Sequence, residues 1–107
     1  MIDIQKLKQF PLGFKQFEGY IEKQYGSVLF LYNGSGTIKN EDVVLFGDEN
    51  GLHVTVGAFE DFKQKLNFNY YVLYNVVDGS RYNTRNEATE AAIIKIFELL
   101  ETKLKTN

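Results

Sequence analysis

Cysteine and tryptophan are absent from the 107-residue chain, and histidine and proline occur once each. Without cysteine there is no disulfide framework, no zinc ribbon and no thiol nucleophile. Arginine is scarce too, with Arg81 and Arg85 standing against ten lysines. No apolar run approaches the ~20 residues needed to span a bilayer, and no signal-peptide pattern opens the sequence; a cytoplasmic location without membrane contact is expected. Charge of one sign is also lacking, since 12 basic and 14 acidic side chains leave a net charge of -2. That balance disfavours a dedicated nucleic-acid binder, whose affinity comes mainly from Lys and Arg at phosphates.

What is present is the composition of a folded domain: 44% hydrophobic and 24% charged residues, in a length that fits one domain over residues 1–107. Aromatics reach 15%, as seven Tyr and nine Phe. The excess of Lys over Arg, with many Asn, Ile, Tyr and Phe, suits an AT-rich genome such as that of a phage or mobile element. No internal repeat or dividing linker is visible.

Hydrophobic spacing predicts the elements. Ile4, Leu7 and Phe10 recur at helical spacing within residues 2–10, before Pro11 stops that segment. After a break at Leu12-Gly13, Phe14, Phe17, Ile21 and Tyr25 form the stripe of a second helix. A strand over 28–32 meets Asn33-Gly34, a strong hairpin signal, with Ser35 to Lys39 returning. A second hairpin is expected from Asp42–Glu49 and Leu52–Gly57 around Asn50-Gly51, with Val44, Phe46, Asp48, His53 and Thr55 sharing one face. Phe59, Phe62 and Leu66 predict a short helix over 58–66. A long strand over 68–77 then turns its Phe68, Tyr70, Val72, Tyr74 and Val76 to the core and ends at Asp78-Gly79.

The last element carries the clearest signal. Thr84-Arg-Asn-Glu87 is a capping box, in which the Thr hydroxyl accepts from the Glu87 N–H while the carboxylate reaches back. Ile93, Ile96, Phe97, Leu100 and Leu104 make its central stripe, and Ile94 and Leu99 widen it, so the helix is covered on more than one side. Glu101 and Lys105 stand at a favourable i, i+4 spacing. The fold class is α+β: a mainly antiparallel sheet of about five strands, a long C-terminal helix on one face, and one or two N-terminal helices. Phe46, Tyr71 and Leu73 fall on the second sheet face, too apolar for water if contiguous, where the N-terminal helix or another molecule covers them.

No constellation for catalysis emerges. His53 and Asp48 pair across the predicted hairpin, but no nucleophile or bound water is offered for them to act on. Asp48-Glu49-Asn50 lacks the later oxygen ligands of a calcium loop, and one His without Cys is too little for zinc. Asn33-Gly-Ser-Gly-Thr37 reads as a turn, because no helix follows to receive a phosphate. No metal and no cofactor is expected. Arg81 and Arg85 flank the start of the last helix beside Ser80, Tyr82, Asn83 and Thr84, where guanidinium groups and free N–H groups together form a candidate anion site. Tyr71 and Tyr82 are the tyrosines best placed for an exposed patch, while Tyr70 and Tyr74 are structural.

The expected function is that of a small intracellular, non-enzymatic protein-binding domain, of the inhibitor or immunity type found among phage accessory proteins. Its contacts, to another protein or to a second copy, would use Phe46, Tyr71 and Leu73 with the corner of Arg81, Tyr82 and Arg85. A nucleic-acid-associated protein using Arg81, Arg85 and the lysines is the alternative. A small-ligand carrier or an enzyme with carboxylate chemistry, which leaves no motif in one sequence, is the third reading.

Overall fold

A computed structural model describes residues 1–27, 36–72, 76–77 and 81–106, with the side chains of all but Tyr71, Val76 and Val77 among them. The elements in order are β1 (Ile2–Asp3), α1 (Ile4–Leu7), α2 (Pro11–Tyr25), β2 (Thr37–Ile38), α3 (Asn40–Glu49), β3 (Val54–Glu60), β4 (Leu66–Val72), β5 (Val76–Val77) and α4 (Arg85–Thr106). Among the described residues the strands form two small antiparallel sheets, β1–β2 and β3–β4–β5. The chain is α+β with a long C-terminal helix, and the single sheet expected from the sequence is divided.

α4 organises the molecule. It packs against the helices α1, α2 and α3 as well as the strands β3 and β4, which is why its apolar stripe is so wide. Its start keeps the predicted Thr84 cap, with the Glu87 N–H donating to Thr84 Oγ1 at 3.1 Å, but Glu87 Oε2 reaches one residue further back and accepts from the Asn83 N–H at 3.3 Å. Ala88 and Ala92 are buried without bulk, while Ile93, Ile96, Phe97 and Leu100 fill the core.

Pro11 begins a helix instead of only ending one. Proline suits the first helical position, where its missing N–H has no intrahelical partner, so α2 runs unbroken through Leu12 and Gly13. Phe10, before it, offers no side-chain cap. The cap comes from a distant helix: the Glu101 carboxylate accepts from the Gly13 N–H at 2.7 Å and the Leu12 N–H at 3.3 Å. Glu101 is buried and turned inward, a different role from the solvent-facing pair with Lys105 that its spacing predicts. Gly13 permits this approach, since a Cβ there would lie 3.3 Å from Phe97 Cδ1. Residues 2–10, expected as one helix, divide into β1 and the single turn of α1.

The predicted hairpin over 42–57 is the largest correction. Residues 40–49 are helical, with Glu41 and Asp42 in the first turn and Val43, Phe46 and Gly47 buried at i, i+3 and i+4. Asn50-Gly51 stops this helix: Gly51 adopts φ +74°, and the Leu52 N–H returns to the Gly47 carbonyl at 2.8 Å. Asn-Gly supplies a left-handed residue equally to a tight hairpin and to a helix terminus, and here the helix wins. His53 and Asp48 do meet, at 2.8 Å, but across the end of α3 and in solvent.

Phe46 is therefore a core residue and lies on no sheet face. Its ring meets Phe17 edge-on at 5.1 Å and lies 5.5 Å from Tyr20 and 5.8 Å from Phe97. The N-terminal helix does cover Phe46, as part of a helix layer: Phe14, Phe17 and Ile21 of α2 are buried, and α2 packs on α3 and α4. The short helix expected over 58–66 is also replaced, by the end of β3, a turn, and the start of β4. The long strand over 68–77 is divided as well; by Val76 the chain has reversed, and Val76 pairs antiparallel with Val72. The predicted strand at 28–32, the Asn33-Gly34 turn, Leu73, Tyr74 and the Asp78-Gly79 turn lie outside the described residues.

Candidate functional site

β3 and β4 pair in register from Val54↔Val72 to Glu60↔Leu66. Side chains alternate across a strand, so Val54, Val56, Ala58 and Glu60 share a face with Val72, Tyr70, Phe68 and Leu66. Burial on that face falls steadily along the hairpin. Val72 and Tyr70 are buried, Val54, Val56 and Phe68 half-buried, and Ala58, Glu60 and Leu66 exposed. The hairpin thus runs out from under α4, and among the described residues no helix lies on its far end.

Phe62 stands at that end with 87% of its surface exposed, more than any other large hydrophobic residue among those described, and Leu66 beside it is 52% exposed. The turn that carries Phe62 is held by a side chain. Asp61 Oδ1 accepts from the Lys63 and Lys65 N–H groups at 2.9 and 3.0 Å, and Oδ2 accepts from Asn67 Nδ2 at 3.1 Å. The backbone closes with Asp61 N–H to Lys65 carbonyl at 3.0 Å and Gln64 N–H to Asp61 carbonyl at 2.9 Å. Gln64 takes φ +62°, the one positive φ at a non-glycine among the described residues. The Lys65 N–H is the main influence holding the Asp61 carboxyl below the usual aspartate range; burial opposes it, and Asn67, the Lys63 N–H and Arg81 add to it.

Both arginines join this hairpin. Arg81 Nη1 lies 3.7 Å from Asp61 Oδ2. Arg85 donates to the Val56 carbonyl at 3.3 Å, with its guanidinium carbon 5.4 Å from the Phe68 ring centre. Tyr82 exchanges two 2.9 Å backbone hydrogen bonds with Phe68 and sets its ring 6.2 Å from Tyr70. Arg81, Tyr82 and Arg85 each reach this hairpin, through Asp61, Phe68 and Val56 respectively, while Thr84 takes the Glu87 N–H at the start of α4. Tyr71 stands in register opposite Thr55 and Val77, and Leu73 is outside the described residues.

Four cationic groups (Lys63, Lys65, Arg81, Arg85) and two anionic ones (Glu60, Asp61) belong to this end of the hairpin, a local balance of about +2 on a chain of net charge -2. Phe62 and Leu66, expected on a short helix, and Asp61 were not legible in the sequence as one exposed turn. The period-two run Val54 to Phe59 was the available signal, and the helical spacing of Phe59, Phe62 and Leu66 masked it.

Among the described residues, no three His, Cys, Asp or Glu side chains are placed to hold a metal ion. A cavity of about 340 Å³ between α2 and α3 is lined by Gln16, Tyr20, Lys23, Glu49 and Asn50. Its polar groups are engaged in a Gln16–Asn50 hydrogen bond at 2.9 Å and a Lys23–Glu49 ion pair at 3.8 Å. The Tyr20 hydroxyl is pushed above its ordinary pKa by burial and by Glu49, Asp42 and Asp48, so it stays protonated and unsuited to act as a base. No described helix is long and apolar enough to cross a membrane. Comparison with protein-family models, with curated proteins and with solved structures gave no significant match.

Proposed function

We propose that this chain is a small, non-enzymatic protein-binding domain whose contact surface is the far end of the β3–β4 hairpin. The observation that carries the reading is Phe62, held outward by a turn that Asp61 fastens at three points. Taking a Phe side chain out of water is worth roughly 1.5–3 kcal/mol, and a preorganised turn lowers the ordering cost of binding. Aromatic anchors with arginine nearby are the common core of protein interfaces. The partner that fits is a protein with an apolar pocket in an acidic surround, facing Phe62 and Leu66 with Lys63, Lys65 and the arginines about them. An accessory role in the cytoplasm, of the inhibitor or immunity type, is in keeping with such a surface.

A comparative pull-down tests this. Wild-type and Phe62→Ser baits are exposed to the same lysate with and without nuclease. The expected result is a protein held by wild type, lost with Phe62→Ser and indifferent to nuclease. Equal capture by both baits would overturn the reading. Capture abolished by nuclease would replace it with the nucleic-acid one.

A further inference from the structure

We infer that the outer edge of β3 is a pairing site for β3 of a second copy of this chain, joining two hairpins into one continuous sheet. Phe68 spends both its N–H and its C=O on Tyr82, at 2.9 Å each. Backbone groups alternate in direction along an antiparallel ladder, so at Phe68 none remain for Ala58, the residue opposite it. The Asp61 N–H to Lys65 carbonyl bond agrees, placing the odd-numbered residues of β3 in the inward position. Val54, Val56, Ala58 and Glu60 therefore aim four N–H and four C=O groups away from β4. Arg85 confirms the direction by reaching the Val56 carbonyl. Among the described residues no strand pairs with this edge.

The residues along the edge are complementary to themselves. In an antiparallel two-fold pairing centred on Gly57, all seven residues of β3 find an opposite: Val54 with Glu60, Thr55 with Phe59, and Val56 with Ala58. The outward groups are then exchanged as four hydrogen-bonded pairs, the Val56 carbonyl accepting from Ala58 of the other copy on the lone pair that Arg85 leaves. Gly57 meets Gly57 at a non-hydrogen-bonded pair, where opposed chains come closest and the absence of a side chain helps. Thr55 with Phe59 is a β-branched and aromatic pair, a favourable cross-strand combination. No like charges are opposed. Glu60 of one copy falls diagonal to Val56 of the other, on the face where Arg85 rests, which sets a carboxylate beside each guanidinium. β3 carries neither the proline nor the lysine that commonly blocks an edge strand. The pairing uses strand backbone and not the Phe62 tip, so it can fail while partner binding survives.

Solution mass across a wide concentration range is the test, on wild type and Ala58→Pro. Proline at 58 removes an outward N–H and sets a ring on the edge, while every bond to β4 is kept. Wild type should rise with concentration toward twice the 12.3 kDa chain mass, and Ala58→Pro should stay at the single-chain mass with an unchanged far-UV spectrum. A wild type monomeric throughout, or an Ala58→Pro chain that still doubles, overturns the inference. Should Ala58→Pro lose its fold, amide exchange in wild type decides. Protection of the Val54, Val56, Ala58 and Glu60 N–H groups that grows with concentration upholds it, and protection independent of concentration overturns it.

Discussion

Phe17, Phe46 and Phe97, on three different helices, are almost wholly buried, while Phe62 on the hairpin is 87% exposed. The surroundings differ as much as the exposure. In the helical half, close contacts rest on atoms with no room to yield: Gly47, where a Cβ would lie 2.7 Å from the Leu52 carbonyl oxygen, and Gly13 beside the buried Glu101 carboxylate. In the hairpin, the ordered groups are polar and lie beneath the turn, and the apolar residue is left outside them. The first region is built to stay folded. The second fastens a turn with three hydrogen bonds of one carboxylate and leaves Phe62 in solvent.

The sharpest break of this contrast is a pair of identical truncations. Phe97→Ala should cost about 3–5 kcal/mol, whereas Phe62→Ala should stay within about 0.5 kcal/mol; denaturant midpoints compare them directly. Glu101→Ala strips two N–H groups at the start of α2 of their buried acceptor and should cost about 1–3 kcal/mol. Two glycines on helices provide a finer test. Gly47→Ala meets the Leu52 carbonyl and Ile96, and overpacking of about 1–3 kcal/mol should exceed its gain in helix propensity. Gly19→Ala meets nothing within 4 Å and should stabilise by about 0.5–1 kcal/mol. Opposite signs in one chain would show that packing, and not propensity, sets the helical half.

The smallest expected effect is confined to the turn. The Asp61 carboxyl is held below its ordinary range in the folded chain, so its contribution is present above the unfolded aspartate pKa and is lost as pH falls through the lowered one. The amide resonances of Lys63 and Lys65 should titrate together, with a midpoint below that of an ordinary aspartate. Asp61→Asn should abolish that titration while the signals of α4 stay in place. A midpoint at the ordinary value would mean that the carboxylate does not fasten the turn.

What the sequence disclosed depends on how locally each feature is encoded. The start of α4 is written in Thr84 and Glu87 alone, and the stripe from Ile93 to Leu104 repeats over several turns, so both were legible. Asn50-Gly51 was ambiguous because the same left-handed glycine closes a hairpin or ends a helix; Glu41 and Asp42 ahead of Val43 and Phe46 were the signs favouring the helix. Pro11 was read as a stop because the cap that lets α2 begin there is Glu101, near the other end of the chain. The hairpin tip was missed for a related reason: its turn has no glycine or proline, only the Asp61 side chain and Gln64 at positive φ. Arg81 and Arg85 stand out in the sequence as the only arginines, but their partners on the hairpin, Asp61 and the Val56 carbonyl, are set by tertiary structure.

Site-specific photo-crosslinking tests directly whether Phe62 is the point of partner contact. A photoreactive residue is placed at Phe62 in one preparation and at Leu45, itself 48% exposed on α3, in another. Capture of one protein species from position 62, with none from position 45, is the predicted result. Equal capture from both positions, or none from 62 at a concentration where the wild-type chain holds its partner, would contradict the account.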